Sequence, residues 1–466
     1  KYSDSDIQNT TNDFVKSVLQ DSFNLKMCTK ISEKLNIPIE YVLRDEELLR
    51  ADDDKGPSKK NIFLNLLRGV KNIIFKAVDK YFLKKSIVLS QQSYLPAWFQ
   101  LALFISTLGK IGFLNRIFVN NNHLKNNESV NHSARSSLSL VPDNTDNLTA
   151  LIISLVGNYI PKVFLEGYDE LSIETQKIYS RYSPKAIYSA NSWWHDELFK
   201  NWAALSQENG VKLIGGTHGG GAFLHKYKIW EDLESSLVDH YVTWGWKVSN
   251  KDLPFPANKL ISFYKLGKKS RAGFSQILYV TTCNPRHNYN SLEKFSDYFE
   301  WQVRFLKNVS EKIEKNMLIR PYFADWGWKA KENLINANNA IKHDNHEFSF
   351  HSRIKKSKVC VYDYISTTFV ESLSMNIPTI IFVSRDIIPI CKEMVNDFDA
   401  LRRVSILHDS PESAMDWLDS MYDEIDDWWL SDDCQNVVQE FCSLYARRDT
   451  VKNSLSEWST LVSLCK

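Results

Sequence analysis

Between Lys358 and Val383 the chain spells out one complete crossover. An apolar run, Lys358-Val-Cys-Val361, leads into a hydroxyl-rich turn at Ser366, Thr367 and Thr368. A short helical stretch carrying Glu371 follows, then Asn376-Ile-Pro378, then a second apolar run from Thr379 to Val383. Two strands joined by a helix are parallel neighbours, because a parallel pair needs such a connection. Strands this continuously apolar are covered on both faces. The segment therefore restricts the chain to an α/β architecture. Ser366, Thr367 and Thr368 fall at the helix N-terminus, where unpaired backbone N–H groups and the dipole favour a phosphate or diphosphate. Glu371, one turn further in, is placed to accept hydrogen bonds from a ribose. Any capped helix uses the same residue types, so the segment alone leaves binding and capping both open.

The rest of the chain repeats this alternation. After a mainly helical extension (1–85), Ile87–Ser90 reads as a strand, Ala97–Leu108 as a helix, and Asn120–Asn147 as a long polar loop. Lys185–Ala190, Val211–Gly215 and His240–Thr243 read as strands, with a helix over Trp193–Asn209. A Lys/Gly-rich linker around Leu266–Gly273 opens a second series: Gln276–Val280, Asn316–Ile319, Lys358–Val361 and Thr379–Val383. The expected organisation is an N-terminal Rossmann-like domain over 86–265 and a second over 274–410, followed by helices over 411–466. Those last helices carry an apolar face of Trp417, Leu418, Met421, Ile425, Trp428 and Trp429. In such open sheets ligands bind outside the carboxyl ends of the strands, where Ser366–Glu371 falls.

Composition narrows the functional classes. At 466 residues the chain exceeds one core, and 57 Lys and Arg against 56 Asp and Glu give no general argument for nucleic-acid binding. The cysteines are scattered without CxxC pairs or Cys/His clusters, which suits a reducing cytoplasm and argues against a zinc site. No run of eighteen apolar residues and no signal-peptide core is present, so neither a spanning helix nor export is expected. One stretch speaks about membranes. From Lys59 to Lys85 apolar residues recur at helical spacing, with eight cations against the single Asp79. A basic amphipathic helix of this kind either packs on a core or lies on an anionic leaflet, which would place the protein peripherally at the inner face of the cytoplasmic membrane.

Four constellations offer chemistry. Gly215-Gly-Thr-His218-Gly219-Gly220-Gly221 follows a strand. It is neither the dinucleotide fingerprint nor a P-loop, but its glycines allow close backbone approach to a sugar or phosphate while His218 points into the cleft. Next comes the acidic stretch Trp230-Glu231-Asp232-Leu-Glu234, running to Asp239, in which Glu231 and Glu234 share a helix face. A carboxylate so placed can act as a general base or as a nucleophile in group transfer. In the first half, Asn191 and Asp196 sit at a strand-to-helix turn, to touch an acceptor or to cap. In the second half, Asn284 and Arg286 follow one strand, and Arg320 with Tyr322 follows the next, where arginines suit a phosphate or carboxylate.

Taken in order, Thr217–Gly221, Trp230–Glu234, Val238–Trp246, Arg320–Trp328, Ser366–Pro378 and Phe441–Arg447 resemble a family of O-antigen and surface-carbohydrate transferases over Ile87–Arg448. More distantly the chain is similar to the retaining β-Kdo glycosyltransferases of capsule and O-antigen assembly, which use CMP-Kdo and a carboxylate nucleophile. The resemblance implies a GT-B enzyme with two Rossmann-like domains facing a cleft. The nucleotide-sugar donor would lie on the second, at Ser366, Thr367, Thr368, Glu371, Arg320, Tyr322, Asn284 and Arg286. A lipid-linked or oligosaccharide acceptor would approach the first, near Gly219–Gly221, Asn191 and Asp239. Asp232 would be the nucleophile, Glu231 or Glu234 the acid/base, and His218 a donor contact. With no Asp-x-Asp at a strand end, no metal or other cofactor is expected. The alternatives are a UDP- or GDP-hexose donor, a nucleotide-sugar epimerase or hydrolase, or a non-catalytic subunit of glycan assembly.

Overall fold

The computed structural model describes residues 7–18, 20–34, 37–38, 81–114, 129–221, 224–226, 228–262, 270–283, 295–384 and 389–465. The basic stretch up to residue 80, Asn284, Arg286 and residues 266–269 of the Leu266–Gly273 linker lie outside the described residues. Two compact units emerge, one of Lys1–Ser93, Leu103–Ile214 and Leu461–Lys466, the other of Tyr94–Ala102 and Gly215–Thr460.

The first six strands are β1 (Val88–Gln91), β2 (Ile111–Phe113), β3 (Ala186–Ser189), β4 (Lys212–Gly216), β5 (His240–Thr243) and β6 (Asp252–Pro254). They form one sheet in the order β2-β1-β3-β4-β5-β6, with β1 parallel to β2 and β3, and β5 parallel to β6. The second sheet holds β7 (Ile277–Val280), β8 (Met317–Arg320), β9 (Lys342–His343), β10 (Val359–Tyr362), β11 (Thr379–Phe382) and β12 (Leu407–His408). Its order is β12-β11-β10-β7-β8-β9, and every neighbouring pair is parallel. The chain thus winds outwards from β7 to β9, returns, and winds the other way from β10 to β12. The switch point lies between β7 and β10, where an open α/β sheet forms its crevice.

Strand alternation divides the second unit's core into two layers. Tyr279, Ile319, Val361, Ile380 and Phe382 face Met415, Leu418 and Ile425. Leu278, Leu318, Cys360, Tyr362 and Ile381 face Phe369, Leu373, Phe398 and Phe441. Both faces are apolar because each is covered by helices, as the continuous apolar runs require.

Sequence and structure part in three places. Strands β2, β6, β9 and β12 were not anticipated: two or three residues are too few to show a period, and pairing with a longer neighbour defines them. The polar stretch expected to be a loop contains the helix His132–Leu138, and the next helix, Asn147–Tyr159, begins within it. Asn131 and Asp146 cap these two helices. Arg135 fixes the first in place, with Nε and Nη2 each 2.7 Å from the Glu166 carboxylate and Nη1 on the Gly157 and Ile160 carbonyls. Tertiary pairing here overrides a serine-rich, weakly helical sequence. The helix expected over Trp193–Asn209 is broken at Asp196 into Ser192–His195 and Glu197–Glu208.

Candidate functional site

At the switch point, the carboxyl ends of β7, β8 and β10 surround a cavity of about 360 Å³ lined by Thr281, Thr282, Arg320, Tyr322, Asp363 and Ser366–Thr368, among others. Ser366 is the N-cap of the Thr367–Ser374 helix. Its Oγ accepts from Phe369 N–H at 3.3 Å and lies 2.8 Å from Thr368 Oγ1. Capping and ligand contact are thus not exclusive, because the capped end itself opens on the cavity. At the far end, Asn376 takes the left-handed conformation with φ 61°, so that helix stops sharply before Ile377-Pro378.

The floor of the cavity is a buried carboxylate. Asp363 accepts from Tyr279 Oη at 2.7 Å, Tyr298 Oη at 2.7 Å and Gln302 Nε2 at 2.9 Å. Burial nevertheless raises it to about 6, since three neutral donors only partly replace hydration. Arg320 is ion-paired with the fully buried Asp344, which Arg353 Nη2 also reaches at 2.9 Å. Arg320 therefore lines the cavity as one member of a fixed two-arginine cluster. Tyr322 is 38 % exposed, stacks on Phe323 with ring centroids 4.4 Å apart, and has its hydroxyl pushed up by burial.

Glu371 is buried on the second turn of its helix, with Oε2 3.3 Å from His351 Nε2. Lys259 stands over the Tyr94 ring at 4.3 Å. Burial lowers the Lys259 ammonium, while the Glu371 charge acts in the opposite direction.

The glycine loop after β4 lies against this same helix. A Cβ on Gly219 would meet Thr367 Oγ1 at 2.7 Å, and one on Gly221 would meet the Ile365 carbonyl at 2.8 Å. At Gly221 the atom met is backbone and cannot move aside, so that approach requires glycine, whereas at Gly219 it is a hydroxyl that can rotate. Beyond the loop, the chain is pinned by Lys226 N–H to the Pro389 carbonyl at 2.8 Å and by Cys391 N–H to the Leu224 carbonyl at 2.9 Å. His218 is half-buried in the loop. His225, which the sequence did not single out, places Nε2 3.2 Å from the Ile365 carbonyl, and its ring centroid is 5.3 Å from that of Tyr364.

The three clustered acids lie on the helix Ile229–Leu237 and have different surroundings. Glu231 is 8 % exposed and raised by burial, with the His225 charge opposing that rise. Glu234 is 1 % exposed and accepts from Tyr241 Oη at 3.1 Å. Asp232 and Asp239 are exposed. In the first unit, Asp196 caps Glu197–Glu208 through Phe199 N–H at 3.0 Å and is raised by burial to about 7. Asn191 there donates from Nδ2 to Gln92 Oε1 at 3.3 Å. The Gln91 amide atoms and Ser192 Oγ, at the carboxyl ends of β1 and β3, are buried with no partner among the described residues.

Neither sulfur nor acid clustering marks a metal site among the described residues, and none of their helices is long and apolar enough to cross a membrane. His225, Lys259 and Asp363 are the site residues the sequence did not flag. Of these, Asp363 lines the cavity, His225 sits against Ile365 and Tyr364 beside it, and Lys259 feels the charge of Glu371.

No curated protein matches the chain by sequence. Among solved structures, similarity extends to the MurG protein of Acinetobacter baumannii (8 % identity, 81 % of this chain and 99 % of that one, TM-score 0.38). It also extends to Anabaena HepE in complex with UDP-glucose (10 % identity, 81 % and 99 %, TM-score 0.43). A third is WaaG, a glycosyltransferase involved in lipopolysaccharide biosynthesis (10 % identity, 81 % and 100 %, TM-score 0.34). These likenesses are remote, and the assignment rests instead on a family model that matches almost the whole chain. Over residues 4–462 the sequence fits the LIC12162 family transferase model, and the chain belongs to that family of transferases.

Proposed function

We propose that this transferase moves a glycosyl group from a nucleotide-sugar donor bound in the switch-point cavity. The observation that carries the reading is the packing of the Gly219–Gly221 loop against the N-terminal turn of the Thr367–Ser374 helix, beside a cavity rimmed by hydroxyls and Arg320. The unpaired N–H groups of that turn would hold the leaving phosphate, and the Arg320/Arg353 pair would add positive charge without a metal. Glu371 would accept from the ribose.

Burial separates the three acids. Asp232 faces solvent, Glu234 is engaged with Tyr241, and Glu231 lies beside His225, whose ring reaches the backbone next to Ser366. We therefore assign the catalytic carboxylate to Glu231. In a retaining transfer its oxygen bonds to the anomeric carbon as the anomeric C–O bond to phosphate breaks. The acceptor hydroxyl then displaces that oxygen and loses its proton to a neighbouring base. The resemblance of the motifs supports a CMP-activated ulosonic acid such as Kdo as donor, and a lipid-linked or oligosaccharide precursor of surface polysaccharide as acceptor.

The test uses the full chain with CMP-Kdo, UDP-hexose and GDP-hexose in turn. Intact-protein mass spectrometry should show an increase equal to one sugar with a single donor. The adduct should be lost in Glu231→Gln and retained in Asp232→Asn, with EDTA having no effect. Transfer with inversion and no adduct would leave Glu231 a general base. Binding of none of the nucleotides would refute the donor site.

A further inference from the structure

A second cavity, of about 340 Å³, lies in the same unit at the opposite end of the Thr367–Ser374 helix. Its walls include Leu373, Ser374, Val438, Gln439, Arg447 and Arg448, and no Asp or Glu is among its described lining residues. The two arginines differ. Arg447 is neutralised by Glu457, with contacts of 2.9 and 2.6 Å, and donates to the Pro254 carbonyl. Arg448 donates Nη1 to the Ser374 carbonyl at 2.8 Å and forms no ion pair among the described residues.

What remains of the Arg448 guanidinium is its Nε–Nη2 edge. This chain uses that same edge twice to hold a carboxylate with two hydrogen bonds, at Arg135–Glu166 and at Arg304–Glu412. Arg448 is half-buried, and burial works against its charge. A partly desolvated cation without a counter-charge loses free energy that an oxyanion would restore, and a planar fork matches carboxylate or phosphate oxygens best. The amides deeper in the wall are already committed. Gln435 Nε2 donates to Asn376 Oδ1 at 3.0 Å and to the Trp429 carbonyl at 2.8 Å, so these side chains shape the cavity rather than compete for the ligand.

We propose that this cavity binds an oxyanion, a phosphate monoester or a carboxylate, on the free edge of Arg448, with the body of the ligand against Leu373 and Val438. The site is separate from the donor cavity and does not depend on that reading.

Isothermal titration of the full chain with inorganic phosphate, and separately with acetate, tests the proposal. One of the two should bind saturably at one equivalent, phosphate marking a phosphate ligand and acetate a carboxylate one. Arg448→Met should weaken binding at least tenfold. Should loss of the Ser374 contact unfold that variant, Gln439→Trp decides instead, since Gln439 is exposed and its replacement fills the cavity mouth. Its binding should also fall at least tenfold, with melting temperature and nucleotide binding unchanged. Three results would overturn the site: no saturable binding, undiminished binding in the folded variants, or displacement of the anion by a nucleotide.

Discussion

Tyr298 and Asp363 share a short hydrogen bond: the hydroxyl donates to Asp363 Oδ1 at 2.7 Å, and its oxygen receives the Thr282 N–H at 2.9 Å. One phenol thus ties the end of β7 to the end of β10 across the switch point, and the spacing of the cavity floor depends on it.

Asp363 should give stability an unusual pH dependence. Its folded value, about 6, is raised by burial above the ordinary 3.8, so the folded protein holds this proton more tightly than the unfolded chain. The contribution is complete below the unfolded value and is lost as pH rises through the folded one, a difference of about 3 kcal/mol. Asp363→Asn removes the charge and should gain stability relative to the parent between about pH 4 and about pH 7. Urea unfolding at both ends measures it, and a constant gap between the two proteins would contradict the assignment.

Replacing Glu371 tests the ribose contact. Loss of a charged acceptor should weaken nucleotide binding by about 1.5 to 3 kcal/mol. Titration of folded Glu371→Ala with the nucleotide that binds the parent measures it, and equal affinity would remove Glu371 from the site.

Two loop glycines should behave differently. A Cβ on Gly220 would meet Trp244 Cζ3 at 2.6 Å and Val370 Cβ at 3.0 Å, both parts of the packed core. Gly220→Ala should therefore destabilise the protein by about 1 to 3 kcal/mol. Gly219→Ala meets only the Thr367 hydroxyl, which can rotate away. It should keep the melting temperature and lose nucleotide affinity. The reverse pattern would show that the loop serves packing alone.

Arg135→Met breaks the pair with Glu166, whose side chains are 5 % and 2 % exposed. An uncompensated buried carboxylate should cost about 3 to 5 kcal/mol. Chemical denaturation monitors the loss, and a change below about 1 kcal/mol would show that water replaces the arginine.

The sequence by itself determined the α/β class, the longer strands of both sheets and the capped turn at Ser366. These are local properties: continuous apolar runs, a hydroxyl before a helix, an Asn-Ile-Pro stop. It also marked the glycine loop, because a run of glycines allows the close backbone approach that Gly220 and Gly221 make. Tertiary structure alone decided which polar groups share a cavity. Asp363 reaches the cavity because β10 returns beside β7, and His225 reaches the Ile365 carbonyl next to it because the loop beyond β4 pairs with residues 389–391; no spacing in the sequence marks either. Burial alone separated Glu231 from Asp232, one position apart, since successive helix positions point in different directions and only packing says which face is covered. The Arg135–Glu166 pair, 31 residues apart in sequence, likewise turned an expected loop into helix by a contact that no local pattern encodes.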